Sequence, residues 1–292
     1  MDTRAILKKV KKIELRTKRK TDQLFSGNYH SAFKGQGMSF TEVRAYVPGD
    51  DIRSIDWNVT ARTGQPHIKI FEEERELTVI LVVDQSGSTN IGSSAAMRKE
   101  FITEMAAVIA FSAQANGDKV GLIRFSNGVD EFIPPKKGRN QSLKIIRSLL
   151  SQQSYESTQT GINPALQMLN GVIRKKAICF LISDFLFDDC EKLIKSTAKK
   201  HDLIGLWCID PIEQMIPVSG IAEWRDAETG EVVMADMKDA EWRASFKSIQ
   251  EQRERALSDL FRKNNASLVK IDTSGDYILT LQRFFKQRAQ RR

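Results

Sequence analysis

Residues 77–88, LTVILVVDQSGS, constrain this chain more than any other stretch. Seven largely apolar, mostly β-branched residues run from Leu77 to Val83. A half-exposed strand would alternate polar and apolar residues, so the run predicts a strand buried on both faces, as in a parallel α/β sheet. It stops abruptly at Asp84, and Ser86 and Ser88 follow at alternate positions with Gly87 between them. Ligands gather outside the carboxyl ends of strands in open α/β sheets, and a carboxylate with two hydroxyls suits a hard cation. The same residue types also serve an ordinary capped strand-to-helix turn.

The rest of the chain alternates strand and helix patterns. A helix is predicted over 98–115, with Phe101, Met105, Val108, Ile109 and Phe111 on its apolar side, then a strand over 120–125. The next strand, around Phe132 and Ile133, is expected to stop at Pro134-Pro135. Helices follow over 139–151 and from Asn163 or Pro164, and buried strands over 177–182 and 203–209. Residues 221–225 and 231–234 read as a two-stranded excursion, 240–264 as a long helix, 267–271 as the last strand, and 277–287 as a closing helix. The expected fold is α/β, a doubly wound, mostly parallel sheet with a small β-rich accessory layer. Its divisions are a basic helix and loop over 1–34, a β-rich segment over 35–76, and the α/β domain over 77–292 with a hairpin insertion at about 211–236.

A length of 292 residues with 41% hydrophobic content supports one sizeable core and a smaller appendage. No apolar run approaches the roughly 20 residues of a membrane helix, and MDTRAILKKVKK lacks a signal-peptide core, so a cytoplasmic location is expected. Residues 1–20 carry nine Lys/Arg against Asp2 and Glu14, and residues 281–292 carry five with no acid. From a formal charge of +8, these ends take +7 and +5 and leave about −4 for the body. Basic ends can contact nucleic acid or an anionic surface. Ile6, Val10, Ile13 and Thr17 equally mark one face of an amphipathic helix whose other face is solvated. Cys179, Cys190 and Cys208 form no Cys-x-x-Cys pair, and His30, His67 and His201 have no metal-ligand spacing.

Between Tyr46 and Glu74 lies a second distinctive run. Pro48-Gly49 signals a turn, and Asp50, Asp51, Arg53, Asp56 and Arg62 bracket Trp57. Such a segment is either a structural knot of charge-assisted hydrogen bonds or a partner-binding surface presenting Asp50, Asp51, Arg53, Asp56 and Trp57.

The Asp84-x-Ser86-x-Ser88 pattern resembles the metal-ion-dependent adhesion site of von Willebrand factor A domains. That resemblance implies that the two serine hydroxyls bind magnesium directly and Asp84 through water. It also implies a threonine from a second loop and an aspartate after a later strand, which match Thr160 in STQTGINPAL and Asp184 in AICFLISDF; Thr158 is the fallback. Two positions depart from the broader pattern. The second loop reads Gln-Thr-Gly where Gly-Thr-Asp is usual, and Phe185 follows Asp184 where glycine is usual.

YVPGDDIRSIDW, ARTGQPHIK and FEEERE, with the later Cys208-Ile209-Asp210-Pro211, Glu213, Pro217, Gly220, Asp226 and Glu228-Thr229-Gly230, resemble domain-of-unknown-function family fifty-eight over roughly residues 35–235. Members of that family are associated with MoxR-type AAA+ ATPases in chaperone-like or complex-maturation work. The resemblance implies a non-enzymatic adaptor using Mg2+ or Mn2+ to meet a partner's Glu or Asp carboxylate. A metal-dependent hydrolase, or a nucleic-acid or anionic-surface binder, is the alternative. Against catalysis, the chain has no phosphate-binding Gly-x-x-x-x-Gly-Lys and no Gly-x-Ser-x-Gly elbow.

Overall fold

The computed structural model describes residues 13, 14, 17, 20, 33, 38–73, 76–86, 95–151, 161–186, 190–210, 220–225, 232–236 and 238–290. They divide into two compact units, one of residues 33–76 and one of all the others.

In the smaller unit, β1 (Met38–Ala45) and β2 (His67–Glu73) pair antiparallel from Ala45↔His67, with an irregularity between Phe40 and Glu42. A 3-10 turn, Ile52–Ser54, and a short helix α1 (Trp57–Thr63) cross between the strands. Gly64, at φ 71°, ends α1 in the left-handed conformation that glycine adopts without steric cost.

The larger unit is built on six strands. They are β3 (Thr78–Asp84), β4 (Lys119–Phe125), β5 (Val129–Lys136), β6 (Ile178–Ser183), β7 (Asp202–Ile209) and β10 (Ser267–Asp272), in the order β10-β7-β6-β3-β4-β5. All neighbours are parallel except β4 and β5. Between β7 and β10 the chain makes a separate antiparallel pair, β8 (Ile221–Arg225) with β9 (Val232–Asp236). The helices are α2 (Ala95–Ala115), α3 (Arg139–Leu150), α4 (Ile162–Val172), α5 (Glu191–Lys200), α6 (Ala240–Lys263) and α7 (Tyr277–Gln290).

Because β3 is central, its side chains from Val79 to Val83 are buried on both faces, as the unbroken apolar run requires. Ile80, Val82, Ile123, Cys179 and Leu181 pack on one face with Ile162, Leu166 and Leu169 of α4, Ile194 of α5 and Phe261 of α6. On the opposite face Phe180 meets Phe285 of α7 edge-on, with ring centroids 6.4 Å apart. Helices therefore cover both faces, the arrangement of a doubly wound sheet.

Two local expectations need correction. β5 does not stop at its prolines; it runs through Pro134 and Pro135 to Lys136, which pairs with Val120 across an irregular register. An edge strand tolerates the missing proline N–H groups. Gln141 from α3 reaches back, its side-chain amide donating to the carbonyls of Val120 (2.9 Å) and Pro134 (2.8 Å). Helix α2 also begins three residues earlier than expected, at Ala95, where two alanines favour helix.

Of the basic N-terminal face, Ile6 and Val10 lie outside the described residues. Ile13 packs with Ala107 and Phe111 of α2 and Ile146 and Leu150 of α3. Thr17 is fully buried, and its hydroxyl donates to the Ile13 carbonyl at 2.8 Å. Glu14 pairs with Arg139 at 2.6 Å and Lys20 with Glu104 at 2.5 Å, and the Tyr277 hydroxyl also donates to Glu104. The described members of the apolar stripe, Ile13 and Thr17, thus belong to a packing face.

Candidate metal centre

The chain leaves β3 for β4 on one side, and β6 lies on the other, so a crevice opens at the carboxyl ends of β3 and β6. Val83 pairs with Ile182, which sets Asp84 beside Ser183. The Ser183 hydroxyl donates to Asp84 Oδ2 at 2.7 Å, and the Ser86 N–H donates to Oδ1 at 2.8 Å. The Ser86 side chain hydrogen-bonds the same carboxylate. Asp84 and Ser86 are each 1% exposed.

Asp184, 3% exposed, follows Ser183 and faces the same crevice. Its Oδ1 accepts the Leu186 N–H at 3.0 Å, and Arg253 of α6 donates to its main-chain carbonyl at 2.9 Å. Oδ2 has no hydrogen bond among the described residues; its charge partner is the Arg98 guanidinium, 4.0 Å away. Burial, and then the negative charge of Asp184, push the Asp84 carboxyl far above the ordinary carboxylate range, to about 7. Two acids of like charge thus share one buried crevice, with the Arg98 guanidinium beside them.

Phe185 explains one departure in the sequence. Its φ is 56°, a left-handed conformation in which glycine is the usual residue. Phenylalanine is held there by its own ring, buried edge-on against Phe261 at 5.5 Å, and by its N–H, which donates to the Ser183 hydroxyl at 2.9 Å.

Ser88, Thr160 and Thr158 lie outside the described residues. Gly161 sits where the second loop meets α4, and its N–H donates to the Ser126 carbonyl just beyond β4. Gln85 donates to the Phe125 carbonyl, one residue earlier at the same edge. A Cβ on Gly161 would fall 2.0 Å from the Asn127 carbonyl oxygen, so only glycine allows this approach.

The donors that come together, Asp84, Ser86 and Asp184, offer oxygen alone, and no group of three His, Cys, Asp or Glu suited to a metal occurs among the described residues. Oxygen ligands and few carboxylates fit magnesium rather than zinc, and the buried Oδ2 of Asp184 takes no hydrogen bond among the described residues. The residues present therefore fit the expected ion. Cys208, on β7, is buried close enough to feel Arg98, Asp184 and Asp84; burial raises its thiol pKa, so it stays a neutral wall of the crevice.

Arg98 is the residue that sequence reasoning missed. It was readable only as the start of a helix, yet a cation in a helix's first turn opposes the helix dipole and so asks for an acid nearby.

In the smaller unit, the acids around Trp57 do structural work. Asp50 takes two hydrogen bonds from Arg44, at 2.7 and 2.8 Å, and one from the Val47 N–H. Asp51 caps the 3-10 turn through the Arg53 N–H, and Asp56 caps α1 through the Asn58 and Val59 N–H groups, with Lys69 3.6 Å away. Trp57 itself is 68% exposed, as are Ile52 and Val47 in large part.

A family described as "Protein of unknown function DUF58" matches residues 42–256. An uncharacterised protein of Mycobacterium bovis is 28% identical over 278 residues, 94% of this chain and 87% of that one. A second, from Mycobacterium avium, is 23% identical over 53% of this chain and 93% of its own. Among solved structures, the conserved hypothetical protein BatB from Bacteroides thetaiotaomicron is 18% identical, covers 73% of this chain and 99% of its own, and gives a TM-score of 0.41. The SpRpn10 VWA domain is 12% identical over 70% of this chain and 93% of its own, with a TM-score of 0.37. No helix among the described residues is long and apolar enough to cross a membrane.

Proposed function

The chain belongs to the DUF58 family, whose function is unknown, and from that premise we propose that it is a non-enzymatic, metal-dependent adaptor of the cytoplasm that captures a carboxylate-bearing protein. The observation that carries this reading is the pair of buried acids, Asp84 and Asp184, beside the Ser86 hydroxyl, with Asp184 Oδ2 lacking a hydrogen bond among the described residues. Ser86, with Ser88 and Thr160, would hold Mg2+ or Mn2+ directly, and Asp84 and Asp184 would balance its charge. Bound there, the ion supplies an electrophilic position that a Glu or Asp carboxylate can fill. Ser183 and the Ser86 N–H fix the Asp84 carboxylate, and Arg253 ties the Asp184 main chain to α6, so the crevice is pre-shaped. A MoxR-type ATPase is the proposed partner, on the strength of the family resemblance.

The test is capture from native cell extract by the full chain, with magnesium and with chelator. Ser86→Ala/Ser88→Ala should keep the fold and lose metal-dependent capture of an ATPase. Equal capture by the double variant would move the docking surface away from this crevice.

A further inference from the structure

Resting on the metal-dependent reading, we propose that Gln85 is a positioning residue: it sets the loop that carries Ser86 against the loop that carries Thr160, without itself being a ligand. Gln85 stands between Asp84 and Ser86, whose side chains meet in the crevice. Its own side chain goes to α3. The amide donates to the Leu149 carbonyl at 3.0 Å, and Leu149 is in the last turn of α3, where carbonyls have no partner inside the helix. The Gln85 side-chain oxygen lies 3.5 Å from Arg124 Nη1, and the same nitrogen is 3.4 Å from the Ser148 and Ser151 carbonyls. These three contacts are long, so the amide bond to Leu149 is the firm one, and the buried guanidinium adds charge that suits the carboxyl end of a helix.

Three consecutive residues leaving β4 gather both loops. Arg124 faces the Ser151 carbonyl, where the chain quits α3 for the second loop. The Phe125 carbonyl accepts the Gln85 N–H at 2.8 Å, and the Ser126 carbonyl accepts the N–H of Gly161, where the second loop enters α4. Ser126 is itself pinned, its hydroxyl donating to Asp130 at 2.8 Å. Gln85 is therefore bound twice, by its main chain to β4 and by its side chain to the helix from which the second loop departs. Magnesium holds its oxygens at about 2.0–2.1 Å in near-octahedral geometry, so ligands drawn from two loops must keep a fixed separation. Loss of the tie leaves each loop attached but lets one drift against the other. The cost then falls on cation affinity, where outer-shell supports are worth about 10–100-fold.

The experiment measures Mn2+ affinity of the full chain by electron paramagnetic resonance, and stability by urea unfolding in chelator, for wild type, Gln85→Leu and Gln141→Leu. Gln141 is the matched control, because its amide also ties α3 to β4 but at the far end of both. Gln85→Leu should bind Mn2+ about tenfold more weakly, whereas Gln141→Leu should unfold at lower urea and keep wild-type affinity. Wild-type affinity in folded Gln85→Leu overturns the proposal. So does an equal loss in Gln141→Leu, since affinity would then merely follow stability. Should either variant not fold, hydrogen exchange of the wild type decides: saturating Mg2+ should slow exchange over residues 148–151 and leave 139–142 unchanged, and no slowing over 148–151 overturns the proposal. Absence of Mn2+ binding by wild type, even at millimolar metal, overturns the metal-dependent reading as well, so the two failures are distinguishable.

Discussion

The Ser183 hydroxyl donates to Asp84 Oδ2 across 2.7 Å, joining the ends of two neighbouring parallel strands. Ser183 Oγ also accepts the Phe185 N–H, so one hydroxyl orients a carboxylate on β3 and sets the turn that carries Asp184 out of β6.

Asp84 should cost the metal-free fold stability at neutral and higher pH. Its folded pKa is raised to about 7 from an ordinary 3.8, so its stabilising contribution is fully present below about pH 4 and lost as pH rises through 7. Asp84→Asn, measured by urea unfolding in chelator, should be more stable than wild type by about 1–3 kcal/mol at pH 8. The gap should close towards pH 4, and the variant should no longer bind Mn2+.

His201 works in the opposite sense. It is buried, its Nδ1 accepts the Ala177 N–H, and burial followed by the nearby Lys200 charge lowers its pKa to about 4. Its neutral form is intact above pH 6.5, and stability is lost as pH falls from there towards 4, by on the order of 3 kcal/mol at the limit. His201→Asn keeps an acceptor near Nδ1. It should lose less stability than wild type between pH 7 and pH 4.5 in the same unfolding assay.

Gly161→Ala places a Cβ 2.0 Å from a main-chain carbonyl that cannot rotate away. Thermal unfolding should show a loss of about 2–3 kcal/mol or more, the range of overpacked sites. Because the change displaces the segment that leads from Thr160 into α4, Mn2+ affinity should fall with it.

Phe185→Gly relieves a left-handed phenylalanine, worth about 1 kcal/mol, but empties the place of a buried ring, worth about 3–5 kcal/mol. The net result in urea unfolding should be destabilisation by about 2–4 kcal/mol.

Ile13→Asp puts a charge among Ala107, Phe111, Ile146 and Leu150. The N-terminal segment should leave α2 and α3, and trypsin should cut within residues 1–20 at least about tenfold faster, since cleavage follows the open population.

Much of this was legible because periodicity and punctuation report burial directly. The unbroken run 77–83 read as a strand buried on both faces, and Asp84 and Ser86 stand where that strand ends. Asp184 stood out through the resemblance to the adhesion-site pattern, which asks for an acid after a later strand; the apolar run 177–182 then placed it at a strand end. Arg98 was not, because its meaning depends on a carboxylate 86 positions away that no local pattern reveals. The prolines of β5 misled because proline forbids a central strand yet is compatible with an edge, and edge position is a property of the whole sheet. Asp50, Asp51 and Asp56 could be read as a structural knot or as a surface; their carboxylates take hydrogen bonds or charge from local N–H groups, Arg44 and Lys69, while Asp51, Arg53 and Trp57 remain exposed, so the segment serves both descriptions.

The two consecutive prolines of β5 do more than tolerate their place. An outer strand normally offers a row of free amide donors onto which another chain can add itself, the usual route to uncontrolled association. Successive amides alternate between the two sides of a strand, so of Pro134 and Pro135 one removes a donor from the outer side and the other from the side facing β4, where the Gln141 amide bridges the Pro134 and Val120 carbonyls. That flank of the sheet is blunt to strand addition, so growth of the sheet into aggregates is disfavoured there by covalent structure.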